Sequence, residues 1–228
     1  MQKKTLKIAV LRFPGTNCEF DTRYAFEKLG HTTELVWHED ETLPTNIDLV
    51  VVPGGFSYGD YLRSGSIARF SPVMKSVTKY ANDGGNVLGI CNGFQILTEA
   101  GLLPGALKRN NDLHFISKHQ NLCVINNDNA FLNQCEKGEV LNIPIAHADG
   151  NYYIDDEGFK KLETNGQILL RYSNENGEPV VVNGSVTSIA GVCNEAKNVF
   201  GLMPHPERAL EAILGSEDGI RMLKGFES

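Results

Sequence analysis

Short runs that are apolar at almost every position, each followed by a segment of helical period, restrict this chain more than any other feature. Residues 6–13 (LKIAVLRF), 48–52 (DLVVV) and 86–90 (NVLGI) have almost no polar face, and 34–38 (ELVWH) is a further strand candidate. A strand with no polar face must be covered on both sides, which is the condition of a parallel sheet between helices. The intervening segments supply those helices. Residues 18–29 carry Phe20, Tyr24, Ala25 and Leu29, with Gly30 as a stop. Ile67, Phe70, Met74, Val77 and Ala81 recur at spacings of three and four, with Ser71-Pro72 as the expected cap and first residue of a helix. Residues 92–102 form a third helical segment.

The second half changes character. Strand candidates at 122–125, 141–145, 168–172, 180–183, 188–193 and 199–203 are separated by turn residues such as Asn126-Asn127-Asp128 and Asn183-Gly184. These are expected to add antiparallel strands to the same sheet, and a helix is expected over 207–226. The reading is an α/β fold: a single domain, residues 1–228, with a mostly parallel central sheet flanked by helices and added antiparallel strands.

Bulk properties remove several function classes. The net charge of −7 argues against a nucleic-acid partner, which needs a basic footprint. No run of eighteen apolar residues crosses a membrane, and the start of the chain lacks a secretory pattern, so a cytoplasmic protein is expected. The five cysteines are irregularly spaced, with no CxxC pair, which speaks against a zinc site or a disulfide framework.

One cysteine stands apart. In Gly89-Ile90-Cys91-Asn92-Gly93 a buried strand runs straight into a helix with Cys91 at the corner, the cysteine form of a nucleophile elbow. Side chains two residues either side of the nucleophile would collide with neighbouring elements, and the helix N-terminus favours thiolate. A bare G-x-C-x-G also fits a buried cysteine in a glycine turn. Met203-Pro204-His205-Pro206-Glu207 lies between the last strand and the last helix; in an extended segment His205 and Glu207 project to one side, so the carboxylate can orient the imidazole. Alone it fits a helix cap as well; beside a cysteine elbow a Cys–His–Glu set is the better reading. Val52-Pro53-Gly54-Gly55-Phe56 ends a strand, and a backbone N–H there could join that of Asn92 in an oxyanion hole.

These motifs, GICNGFQ at 89–95, PGG at 53–55 and HPE at 205–207, resemble in order and spacing the class I (triad-type) glutamine amidotransferases. RFPGTNC at 12–18, PGGFSYGDYLRSG at 53–65, LPGAL at 103–107 and PIAHADG at 144–150 look like the branch serving the amidine-forming step of purine synthesis, and the likeness spans essentially the whole chain. The resemblance implies that Cys91 attacks the side-chain amide of glutamine and forms a glutamyl thioester. His205 would act as general base and acid, Glu207 would orient it, and Gly55 and Asn92 would supply backbone donors to the oxyanion. Gln95 and Gly54 would help hold the substrate; Gln95 lies one helical turn after Cys91.

Amidine synthesis needs ATP, yet the sequence has no G-x-x-x-x-G-K-[ST] loop and no G-x-G-x-x-G after a strand. No cofactor or metal is therefore expected on this chain; Mg-ATP would be used by a large synthetase subunit, accompanied by a small accessory subunit, and the acceptor would be formylglycinamide ribonucleotide. Competing readings are an amidotransferase for another acceptor, a cysteine hydrolase on a related scaffold, and an inactive regulatory subunit of the same fold. Tyr58, Asp60, Tyr61 and Arg63 are expected to meet the synthetase, His147 and Asp149 to contact substrate or partner or simply to close a turn, and Cys18, Cys123, Cys135 and Cys193 to be structural.

Overall fold

A computed structural model of the chain describes residues 4–227; the reading of the extreme N-terminus, residues 1–3, lies outside them. Eleven strands are present among the described residues: β1 (Lys7–Arg12), β2 (Thr32–Trp37), β3 (Leu49–Val52), β4 (Asn86–Ile90), β5 (Ala106–Lys108), β6 (Ile116–Val124), β7 (Val140–His147), β8 (Asn151–Tyr153), β9 (Ile168–Ser173), β10 (Ile189–Cys193) and β11 (Val199–Leu202). The helices are α1 (Glu19–Lys28), α2 (Pro72–Asn82), α3 (Asn92–Glu99), α4 (Asp156–Thr164) and α5 (Gly219–Lys224).

Nine strands make one sheet in the order β2-β1-β3-β4-β11-β10-β9-β6-β7. The five from β2 to β11 are parallel, and the remaining pairings are antiparallel. Every residue of β3, β10 and β11 is buried, which is why those strands read as unbroken apolar runs. Parallel pairing also aligns strand ends. The chain leaves β1, β3, β4 and β11 at the same edge of the sheet, which carries the loops holding RFPGTNC, PGGF, CNG and MPHPE to one place.

The first three helices form where expected, but α1 turns a different face inward: it buries Glu19, Thr22, Ala25 and Phe26, while Phe20 and Tyr24 of the expected face are exposed. Helix α2 buries Val73, Met74, Val77 and Ala81, at roughly 1.5–3 kcal/mol for each large side chain. It begins at Pro72 with Ser71 as N-cap, so Phe70 falls in a separate 3-10 turn, Ala68–Phe70, and is 72% exposed instead of lying on the expected face. Helix α3 stops at Glu99, short of 102, because Gly101 turns the chain at φ 72°.

Three expectations in the second half are corrected. Residues 180–183 are not a strand: after a single bridge from Ser173 to Pro179 the chain leaves the sheet, Val181 is exposed, and the Asn183 amide donates to Gly150 O at 2.8 Å. The helix over 207–226 is broken into 3-10 turns at Pro206–Arg208, Ala212–Leu214 and Gly225–Glu227 around the short α5. Gly215 sits at φ 98°, and a side chain at Gly219 would overlap the Pro206 carbonyl, so the segment folds back on itself. Strand β6 starts at Ile116, six residues before the expected 122, because its first half (ISKHQN), buried only at Gln120, is held by pairing along β7. The antiparallel β5–β8 pair and α4 were not anticipated; α4 buries Leu162 and packs Phe159 against the core.

Candidate active site

Cys91 occupies the corner between β4 and α3 at φ 51°, ψ −106°, a strained conformation for a residue with a side chain. The flanking glycines are sterically required. A Cβ at Gly93 would overlap the carbonyl oxygen of Val52, and one at Gly89 would stand 2.8 Å from the Gly93 carbonyl and 2.6 Å from Leu97 Cδ1. The elbow is thus wedged against β3, with Cys91 only 6% exposed. Its amide donates to Leu202 O of β11 at 2.8 Å, tying the corner to the strand that leads to His205.

His205 and Glu207 meet as expected, by a different local geometry. The segment is not extended throughout; Pro206–Arg208 is a 3-10 turn that brings Glu207 Oε1 to 2.7 Å from His205 Nδ1, with both side chains buried. His205 is anchored through its own N–H, which donates to Pro144 O of β7 at 2.8 Å. Burial works against a charged imidazole here. The carboxylate of Glu207, the charge of Cys91 and contacts from the sulfurs of Cys18 and Cys91 outweigh it and hold the His205 pKa well above its usual value. Nε2 has no hydrogen-bond partner of good geometry among the described residues; the two sulfurs approach the ring without that alignment.

Gly54 explains how close this packing is. A Cβ there would lie 2.8 Å from His205 Cε1, 3.1 Å from Cys18 Sγ and 3.5 Å from Cys91 Cβ. Gly54 lies against the Cys–His pair and lines neither neighbouring cavity; the room it leaves is its contribution. Gly55, at φ 148°, is clamped by two bonds of its neighbours, Asn17 N to Gly54 O (3.3 Å) and Phe56 N to Gly15 O (2.9 Å), and its own N–H meets no backbone acceptor among the described residues. The N–H of Asn92, first in α3, is one of the donors a helix start leaves unpaired. The Asn92 side chain accepts from Ser57 N (3.0 Å) and donates to Gln95 Oε1 (2.8 Å), and Gln95 Nε2 donates to Asp149 O (2.7 Å).

Two cavities meet at Cys91. One, of about 110 Å³, is lined by Cys18, Gly55, Phe115, His205 and Arg208 among others; the second, about 30 Å³, by Asp60, Ser64, Gln95, His147 and Asp149. Strand β7 closes both: the carbonyl of Ala146 lies 3.6 Å from Cys91 Sγ. At the end of β7, His147 is buried between Asn110 Oδ1 (3.1 Å) and the Asn183 amide (3.5 Å). Burial first, then the charge of His205, lower its pKa to about 4, so it stays neutral.

Of the four cysteines expected to be structural, Cys18 is the one whose loop after the first strand sets it apart, and its sulfur lies at the site, accepting from Arg208 Nη2 at 3.1 Å, while burial raises its pKa despite His205 and Arg208. The signal was its place in the loop after β1, whose end faces the same edge as Cys91. Ligand atoms of Cys18, His205 and Glu207 come within 4.8 Å of one another. A guanidinium already at the sulfur and a carboxylate already engaged by the imidazole make this a poor cation set. The 58–63 segment divides. Tyr58 turns inward to His38 Nδ1 (2.8 Å) and Ser71 Oγ (2.9 Å), Asp60 faces Asn92, and Arg63 forms a two-pronged pair with Glu99, while Tyr61 and Leu62 point outward. No helix among the described residues is long and apolar enough to cross a membrane.

A cysteine at a helix start, a buried imidazole paired with a carboxylate, and a cavity lined by Gly55 and Cys91 together have the composition that acyl transfer calls for. Comparison with known proteins agrees with that chemistry. Residues 5–218 match a family described as a CobB/CobQ-like glutamine amidotransferase domain. Two proteins called phosphoribosylformylglycinamidine synthase subunit PurQ are similar over nearly their whole length: that of Sulfurimonas denitrificans is 66% identical over 97% of this chain and 99% of its own, and that of Wolinella succinogenes 64% identical with the same coverage. In the solved structure of PurLQS from Thermotoga maritima, a chain 44% identical aligns with a TM-score of 0.87, covering 98% of each chain.

Proposed function

The chain belongs to the glutamine amidotransferase family, and on that premise we propose that it is the glutaminase subunit of a phosphoribosylformylglycinamidine synthase, with residues 1–228 as one amidotransferase domain. Cys91 attacks the side-chain amide carbon of glutamine while His205 takes the thiol proton. Glu207 fixes the imidazole through Nδ1 and leaves Nε2 for the proton. Charge that develops on the amide oxygen is received by the N–H groups of Gly55 and Asn92. His205 then protonates the departing ammonia. Water attacks the glutamyl thioester, and His205 again handles the proton as glutamate leaves. Gln95 positions the substrate end of the pocket through its bond to Asp149 O, and Gly54 keeps His205 close to Cys91.

The ammonia passes to a large synthetase subunit, accompanied by a small accessory subunit, which uses Mg-ATP to convert formylglycinamide ribonucleotide to its amidine; the assembly works in the cytoplasm. The observation that carries the reading is the buried His205–Glu207 pair beside the strained Cys91 elbow, in a chain two-thirds identical to a PurQ subunit. The test is glutamate release from glutamine with and without the synthetase and accessory subunits, formylglycinamide ribonucleotide and Mg-ATP. Activity should rise strongly in the full mixture and vanish in Cys91→Ala. Glutamine hydrolysis indifferent to those partners would overturn the pathway, and no hydrolysis in any mixture would overturn the chemistry.

A further inference from the structure

Cys18 is a second sulfur in the pocket of Cys91, and the glutaminase steps leave it unused. Both cysteines line the larger cavity, together with His205 and Arg208. Both sulfurs contact the imidazole of His205. Gly54, lacking a side chain, leaves open the space beside both: a Cβ there would lie 3.1 Å from Cys18 Sγ and 3.5 Å from Cys91 Cβ. The cavity, about 110 Å³, has room for a molecule of two oxygen atoms next to Cys91. Cys123, Cys135 and Cys193 are buried and line neither cavity at Cys91.

The surroundings of Cys18 suit it to react second. Its thiol donates to Asn17 Oδ1 at 3.0 Å, and burial raises its pKa, so at rest the proton stays on and an oxidant meets a poor nucleophile. Arg208 Nη2 stands 3.1 Å from the sulfur, held by Asp21 Oδ2 at 2.9 Å, and stabilises negative charge there once the proton leaves. Resting on the reading above, that His205 takes the proton of Cys91, we propose that Cys91 and Cys18 form a reversible disulfide when hydrogen peroxide enters the pocket, with Cys91 oxidised first and Cys18 as its resolving partner. The Cys91 thiolate attacks one peroxide oxygen; an S–O bond forms, the O–O bond breaks, and hydroxide leaves as water with the proton held by His205. His205, now neutral, takes the proton of Cys18. Cys18 Sγ then attacks Cys91 Sγ; the S–S bond forms, the S–O bond breaks, and the second hydroxide leaves as water with that proton. The two thiols together lose two electrons, and one peroxide is reduced to two waters. The bridge stops glutamine hydrolysis and shields Cys91 from irreversible oxidation to sulfinic acid.

The assembled complex is treated with a modest excess of hydrogen peroxide, free thiols are capped with iodoacetamide, and the unreduced peptides are read by mass spectrometry. A peptide pair joined through Cys18 and Cys91 should appear as glutaminase activity falls by about tenfold or more, and dithiothreitol should restore most of that activity. In Cys18→Ser the same exposure should carry Cys91 on to sulfinic acid, and dithiothreitol should return about a tenth or less of that variant's own untreated activity. Cys91→Ser should leave Cys18 a free thiol, since no sulfenic acid forms for it to attack. Wild-type Cys91 reaching sulfinic acid while Cys18 is still capped overturns the proposal. So does a bridge from Cys91 to any other cysteine, and neither result needs a variant. Equal recovery of wild type and Cys18→Ser overturns it as well. An untreated complex that releases no glutamate would instead sink the glutaminase reading, and the mass spectrum would still decide the disulfide.

Discussion

Nδ1 of His205 lies 2.7 Å from Oε1 of Glu207, and the two side chains are 2% and 0% exposed. That contact sets the tautomer: with Nδ1–H donated to the carboxylate, Nε2 is the nitrogen free to take a proton from Cys91. Glu207→Gln keeps the shape but lets the amide donate to Nδ1, which selects the wrong tautomer. We expect kcat for glutamine hydrolysis to fall by about a hundredfold or more, with KM for glutamine changed little. A variant with wild-type kcat would show that the pair is structural only.

The elbow holds strain for the sake of position. Cys91 at φ 51° is held there by backbone contacts at Gly93 and Gly89. Gly93→Ala drives a methyl into the Val52 carbonyl, which is backbone and has no rotamer to adopt. A loss of about 1–3 kcal/mol or more is expected in urea unfolding. Cys91→Gly removes the strain along with the nucleophile. It should be more stable than Cys91→Ala by about 1 kcal/mol while both are inactive, and equal stabilities would mean that the corner is relaxed.

The parallel half of the sheet was legible because its strands are buried on both faces, so LKIAVLRF, DLVVV and NVLGI announce themselves without neighbours. The meeting of Cys91, His205 and Glu207 at one corner was legible for a related reason: glycines and prolines at fixed offsets record local steric demands. What stayed hidden depends on contacts distant in sequence. The first half of β6 is a strand because β7 pairs with it, not because ISKHQN has a strand pattern. Cys18 joins the site because β1 and β4 end at one edge, although 73 positions of sequence separate the two sulfurs. Asp60 and Asp149 come together only through the turn after β3 and the loop after β7, which the unanticipated β5–β8 pair helps to fix: Asn151, two residues after Asp149, pairs with Lys108.

Cys18 and Cys91 line the same cavity, yet they should differ in reactivity. Burial raises the Cys18 thiol above its ordinary pKa, against the opposing pull of His205 and Arg208. Cys91, at the start of α3, lines both cavities, so a small reagent can reach its sulfur from either side. At pH 7.5 limiting iodoacetamide should therefore label Cys91 before Cys18, as read by peptide mass spectrometry. Equal labelling, or Cys18 first, would show that the two thiols do not divide the chemistry in this way.

His147 gives the fold an acid limit. The residue is 2% exposed and faces Asn110, Asn183, Asp149 and the imidazole of His205, and its pKa is lowered from 6.5 to about 4. Between those values the unfolded chain binds a proton that the folded chain refuses, so stability falls as pH drops from 6.5 toward 4 and changes no further below. Each pH unit in that window is worth about 1.4 kcal/mol for one proton, so the full loss is on the order of 3 kcal/mol. Asp60 works in the opposite sense. Its pKa is raised to about 6, so there the folded state keeps a proton that the unfolded state releases, and stability rises as pH falls. A single curve would blend the two. His147→Gln leaves Asp60 in place and retains an amide for Asn110, so the stability gap between wild type and variant isolates the histidine. Urea unfolding at pH 7 and pH 4 should show that gap shrinking by about 3 kcal/mol in favour of the variant at low pH. A gap independent of pH would mean that His147 takes up its proton in the folded state as readily as in the unfolded one.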